Sequence, residues 1–134
     1  MEEIMGHPHE AVIRKGYEAF SKGDIETLQN EIFTDDIVWH NPGRNPLSGD
    51  YKGISEVLGY FGQLGELTGG TLHVTLEDAL ADDERTVGLH HATGTREGKT
   101  LDADEVLVFR FRGDKVSEAQ GYSGDQYATD QFWS

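Results

Sequence analysis

The chain has 134 residues, 36% hydrophobic and 10% aromatic, which suits one globular domain (residues 1–134) built around a single core. Its 25 acidic residues outnumber 11 basic ones, a formal net charge of −14 that argues against nucleic acid and anionic membranes, since both need a basic surface. Cysteine is absent, which excludes disulfides, thiolate metal sites and a cysteine nucleophile.

The start, MEEIMGHPHE, is acidic and holds no apolar core of signal-peptide length. No apolar run approaches the ~20 residues that cross a bilayer, so a cytoplasmic address is expected. Pro8 suits a first helical turn, and Ala11, Ile13, Tyr17 and Phe20 then recur at helical spacing. Gly23 ends that helix, and Asp24 caps a second in GDIETLQNEIF, with Ile25, Leu28 and Ile32 as its apolar stripe. TDDIVWHNP reads as a strand that stops at Pro42, because the residue before proline avoids helical geometry. A third helix follows in ISEVLGYFGQLGEL and closes at Gly69-Gly70.

After residue 70 the period changes to two. TLHVTLEDALA alternates Leu72, Val74 and Leu76 against His73, Thr75 and Glu77. Turns at ADDE, REGKT and FRGDK then space three further strands at about 86–96, 100–112 and 115–122. The order predicts an α+β fold, with a curved antiparallel sheet and three helices on its concave face.

The same element order, together with GDIETL, FTDDIVWHNPG, LSGDYKG, VLGYF and the final VFRFRGDKVSEAQGY, resembles the nuclear transport factor 2-like superfamily. Within it the chain is most similar to the SnoaL-like branch, neighbour to ketosteroid isomerases, polyketide cyclases and scytalone dehydratases. The resemblance runs from about residue 8 to 132. It implies a cone-shaped fold with a pocket between sheet and helices. It also implies a homodimer paired through the outer sheet face, where Val106, Val108 and Tyr122 would otherwise be exposed.

Compared with ketosteroid isomerases, the catalytic aspartate position is Asn41, an amide that cannot take and hold a proton. The oxyanion-binding tyrosine position falls at Gly16, with Tyr17 one residue away, and the neutral aspartic acid position falls at Leu107. Three departures together argue against steroid isomerisation.

Strand alternation, aligned on Asn41, turns Ile37, Trp39, Gly88, His90, Glu105, Leu107, Phe109, Gly121 and Ser123 inward. It turns His40, His91, Asp102 and Asp104 outward. The candidate catalytic set is therefore His90, Glu105 and Asn41, with His90 handling protons, Glu105 orienting it and Asn41 donating to a ligand oxygen. Trp39, Tyr17, Tyr60, Phe61, Leu107, Phe109 and Ser123 are candidate pocket walls or ligand contacts, and aromatic walls suit a flat apolar molecule. His40 and Arg44 are rim candidates for an anionic group, or ties for a proline-rich loop. Asp125 reads either as an acid at the mouth or as the cap of a terminal helix in DQYATDQFW.

The adjacent His90 and His91 point to opposite faces and do not make a metal pair. No GxGxxG, GxxxxGK[ST] or HExxH motif occurs, so neither a metal nor an organic cofactor is expected. The expected partner is a hydrophobic, cyclic or polyketide-like small molecule. Three functions follow: a cofactor-free isomerase, cyclase or dehydratase, a non-catalytic binding module, or a dimerising interaction domain.

Overall fold

The computed structural model describes residues 6–134. Half of the acidic start, Met1–Met5, lies outside the described residues. Helix α1 (Pro8–Lys22) begins with Pro8 at its first position and ends at Gly23, whose φ of 68° is the left-handed cap that glycine tolerates best. Asp24 caps α2 (Ile25–Thr27) through the Thr27 amide, and the helix widens into a π turn over Leu28–Ile32. That widening turns Leu28 and Ile32 fully inward but leaves Ile25 43% exposed, so Ile25 does not share their stripe.

Strand β1 (Phe33–Asn41) leads to the short β2 (Gly49–Lys52), then to α3 (Ile54–Leu67). Strands β3 (His73–Ala81), β4 (Thr86–Arg96), β5 (Lys99–Arg112) and β6 (Lys115–Ser123) form the meander, and α4 (Gln126–Trp133) ends the chain. The sheet is six-stranded, in the order β2-β1-β6-β5-β4-β3. Two features differ from the expected layout: a four-residue β2 pairs with β1, and β1 runs parallel to β6. Helix α4 is the terminal helix that DQYATDQFW offered as one of its two readings. Pairing in β2 answers the free edge of β1, while the parallel contact follows from the long crossover through α3 and β3–β5.

Alternation holds along β4, where Thr86, Gly88, His90, Ala92 and Gly94 are all buried. In β3 a bulge between Leu76 and Asp78 resets the alternation, so Ala79 becomes the buried residue. The core joins Ile37, Val57, Val116 and Ala119, each fully buried, to an aromatic group around Trp39. Trp39 meets Phe61 edge-on with ring centroids 5.1 Å apart, and Phe33 and Phe109 at 6.0 and 6.3 Å. Such contacts add ~0.5–1.5 kcal/mol each beyond the area they bury. Among the described residues no helix is long and apolar enough to cross a membrane.

Candidate functional site

Between the sheet and the helices lies a cavity of about 140 Å³. Its wall is mostly apolar and aromatic, with Phe20, Tyr60 and Phe61 on the helices and Trp39, Leu107 and Phe109 on the sheet. For scale, an apolar cavity of about 150 Å³ accepts one benzene ring.

Within this wall three side chains form a chain of hydrogen bonds. Tyr17 Oη, on α1, is 2.6 Å from His90 Nδ1 on β4. His90 Nε2 is 2.9 Å from Glu105 Oε1 on β5. The His90–Glu105 contact is built by register, because the two residues are direct cross-strand partners. Tyr17 reaches His90 because β4 carries glycine at position 88. A Cβ added there would lie 2.6 Å from Tyr17 Oη and 2.9 Å from Tyr17 Cε1. Gly88 therefore makes the space in which Tyr17 sits, a role that alternation alone did not disclose.

The partners assign the protons. A carboxylate only accepts, so His90 Nε2–H donates to Glu105, which leaves Nδ1 in the neutral ring to accept the Tyr17 O–H. Burial, and then the charge of Glu105, push the Tyr17 phenol well above the ordinary tyrosine range. Tyr60 is raised first by burial and then by Glu105, so both phenols keep their protons at neutral pH.

The remaining sequence candidates fall into two groups. Asn41 and Ser123 line the cavity but are engaged with the protein. Asn41 Nδ2 donates to the Leu47 carbonyl at 2.9 Å, so the amide expected to hold a ligand oxygen instead ties down the loop after β1. Ser123 Oγ lies 2.8 Å from Thr129 Oγ1 and accepts from the Asp125 amide.

His40, Arg44 and Asp125 do not line the cavity. Strand alternation turns His40 to the outer face, where it bridges Asp50 and Glu118 at 2.7 Å each. Arg44 is exposed, and its backbone amide donates to Asp130. Asp125 is the cap of α4, accepting from the Ala128 amide at 3.1 Å, rather than an acid at the mouth. His91 lies on the outer face between Asp102 and Asp104. Among the described residues no group of three or more His, Asp or Glu is arranged to hold a metal ion.

Sequence reasoning missed how the loop of residues 42–48 is fastened to the rest of the wall. Asp130 on α4 accepts from the Arg44 amide, Asn45 Nδ2 and Gln126 Nε2, joining the loop of residues 42–48 to the last helix. The acid sits seven residues past the end of β6, where no periodic signal marks it.

The cone of curved sheet and helices, with a cavity between them, defines a nuclear transport factor 2-like fold. The chain belongs to the SnoaL-like domain family, which matches residues 13–119. It is similar to Bal32a from a soil-derived mobile gene cassette, at 39% identity and a TM-score of 0.91, covering 95% of this chain and 97% of that one. It is also similar to the uncharacterized protein Rv0034 of Mycobacterium tuberculosis, 29% identical over 92% of this chain and 94% of the relative. A nuclear transport factor 2-like protein of Burkholderia xenovorans shares the fold at a TM-score of 0.81 and 21% identity, covering 97% and 98% of the two chains.

Proposed function

We propose that this SnoaL-like protein is a cofactor-free acid–base enzyme of the isomerase, cyclase or dehydratase type, acting on a cyclic hydrophobic ligand. One observation carries the reading: the Tyr17–His90–Glu105 chain of hydrogen bonds stands in the wall of a mostly apolar cavity.

The arrangement can move a proton in either direction. With His90 neutral, the lone pairs of Tyr17 Oη face the cavity. Oη takes a proton from a ligand carbon or oxygen as its own proton passes to His90 Nδ1. The imidazolium formed is held between Tyr17 Oη and the Glu105 carboxylate. In that state Nδ1–H donates to Oη, and the Tyr17 O–H is free to give a proton to a second ligand atom. The proton count is unchanged after the cycle, so no cofactor is consumed. General acid–base catalysis of this kind contributes ~10²–10⁴-fold.

Proton exchange in deuterated water tests the reading. Native mass spectrometry of freshly purified protein would identify any co-purifying ligand, and this ligand plus a panel of cyclic ketones would be followed by NMR. Deuterium should enter next to the carbonyl faster with the wild-type protein than with Tyr17→Phe or His90→Ala. Equal rates for all three proteins on every compound would refute it.

The binding-module reading draws on Asn41, which stands where a carboxylate base would otherwise meet the ligand and is occupied by the Leu47 carbonyl. Tight binding of the co-purified ligand with no exchange at any position would favour it.

A further inference from the structure

We infer that the hydroxyl of Tyr60 is the group that binds the ligand's oxygen, and that the ligand is an uncharged, one-ring-sized molecule carrying a carbonyl or equivalent acceptor. The inference rests on the hydrophobic-pocket reading above and goes further, naming the donor and the ligand class.

Polar side chains in the cavity wall are almost all committed to one another. Tyr17 gives its proton to His90, and both His90 nitrogens are used. Asn41 donates to Leu47, Gln126 to Asp130, and Ser123 pairs with Thr129. Tyr60 differs. It is 7% exposed and lines the cavity, yet its hydroxyl has no hydrogen-bond partner among the described residues. Nor is that hydroxyl sealed in the packing, because the sealed, unpartnered polar atoms among the described residues are Thr34 Oγ1, Thr86 Oγ1 and Arg96 Nε. A hydroxyl that is reachable but unpaired inside an apolar wall is a donor waiting for an acceptor.

Two indole N–H groups, of Trp39 and Trp133, and the hydroxyl of Tyr122 also lack partners among the described residues; all three residues contribute to the cavity wall, and Tyr122 is 55% exposed. Tyr60 is distinguished from the indoles because a phenol O–H turns about its C–O bond to meet an acceptor while an indole N–H is fixed in the ring plane. It is distinguished from Tyr122 by being 7% exposed. The Tyr51 ring stacks on Tyr60 with centroids 4.5 Å apart, and Trp39 lies at 6.4 Å, which holds the phenol in one orientation. Tyr17 lines the same cavity, so a ligand held by Tyr60 shares that space with the proton relay.

Charge and size narrow the ligand. No Lys or Arg lines the cavity, and Glu105 is in its wall, so a carboxylate or phosphate would be buried beside a like charge. The volume of about 140 Å³ suits one ring with a short substituent rather than several fused rings.

Three probes with nearly the same skeleton test this by calorimetry or NMR titration: acetophenone, cumene and benzoate. Acetophenone and cumene differ by one oxygen in place of a methyl group, and benzoate adds a negative charge. Wild-type protein should prefer acetophenone to cumene by about five-fold, the weight of one net hydrogen bond, and should bind benzoate least. Tyr60→Phe should erase the preference by weakening acetophenone alone, without lowering the melting temperature, since no protein partner is lost. The infrared carbonyl band of acetophenone should shift to lower wavenumber on binding wild type and revert in Tyr60→Phe.

If acetophenone and cumene bind with a ratio that Tyr60→Phe leaves unchanged, the pocket stands and the inference falls. The same holds if the carbonyl shift disappears only in Tyr17→Phe. Tightest binding of benzoate would overturn the assignment of an uncharged ligand. Failure of all three probes to bind would remove the pocket reading along with the inference.

Discussion

Tyr17 Oη and His90 Nδ1 approach to 2.6 Å across the gap between α1 and the sheet. This one contact joins the helical layer to the Glu105 carboxylate, because His90 passes the polarity on through its other nitrogen. The carboxylate, which only accepts, determines which ring nitrogen carries the proton. In the neutral ring, ¹⁵N NMR should show His90 as the Nε2–H tautomer, with an unprotonated Nδ1. Glu105→Gln should disturb this preference, since an amide oxygen accepts more weakly than a carboxylate and its NH₂ can itself donate. A neutral Nδ1–H tautomer in the wild-type protein would contradict the proton assignment.

Gly88→Ala tests the space behind that contact. The new methyl group would meet the Tyr17 hydroxyl end at 2.6 Å, and a tyrosine packed among core residues has little room to withdraw. The expected cost is about 1–3 kcal/mol of stability, as for other overpacking substitutions, measured by denaturant unfolding. The ¹⁵N signature of His90 should change at the same time. A stable Gly88→Ala protein with an unaltered His90 spectrum would show that Tyr17 is not confined there.

Much of this was legible in the chain. The change from helical to alternating period located β3 to β6 within a residue or two of their ends, because each strand is bounded by Gly or acidic turn residues. Alternation also put His90 and Glu105 on one face, and register made them neighbours. The short β2 was not legible, since a four-residue edge strand has too few residues to display a period. Nor was the role of Asn41, where an amide can donate to a ligand or to a carbonyl six residues on and only the path of the loop decides. Tyr60 reads as core or pocket wall because it is aromatic, and nothing in spacing reveals that its hydroxyl lacks a partner.

Stability should peak in mildly acidic solution. Hydrogen bonds to Asp50 and then Glu118 raise the His40 pKa above 6.5, and bonds to Asp104 and then Asp102 do the same for His91. A raised folded pKa means stabilisation that is fully present below the unfolded value of 6.5 and lost as pH climbs through the folded values. Asp24, held by Thr27, Asp82, held by the Arg85 amide, and Asp130, held by Asn45, are lowered from 3.8. Their contribution is present above 3.8 and lost as pH falls through the lower folded values. The melting temperature should therefore be highest between about pH 4 and 6.5 and decline toward pH 8. His40→Gln with His91→Gln should flatten the alkaline decline, and an unchanged slope would disprove the assignment.

Association through the outer sheet face is expected from its apolar centre. Tyr122 is 55% exposed there, with Val106, its cross-strand partner, and Val108 half-buried beside it. We propose that a second copy of the chain covers this face, with light scattering at micromolar concentration giving a dimer mass. Tyr122→Asp should give a monomer with the same circular dichroism. A monomeric wild-type protein would remove the proposal.

Asp130 supplies the last prediction. Its Oδ1 accepts from the Arg44 backbone amide at 3.0 Å, Asn45 Nδ2 at 2.8 Å and Gln126 Nε2 at 2.9 Å. The same oxygen thus joins the loop of residues 42–48 to α4, and both elements contribute to the cavity wall through Pro42, Asn45, Gln126 and Trp133. The far end of α4 is held separately, by Arg96 on the Phe132 carbonyl and Lys99 on the Gln131 carbonyl. Asp130→Ala should therefore loosen the loop at Arg44 and Asn45, while Asn41 and Tyr51 still hold the Leu47 carbonyl and the C-terminal end of the helix stays bound. Hydrogen exchange should accelerate at the Arg44 amide while the β4–β5 amides keep their protection. Any probe bound in the cavity should dissociate faster, because the wall segment that must move has lost one anchor. If Arg44 exchange is unchanged, Asp130 is a surface hydrogen-bond acceptor and the loop is held without it.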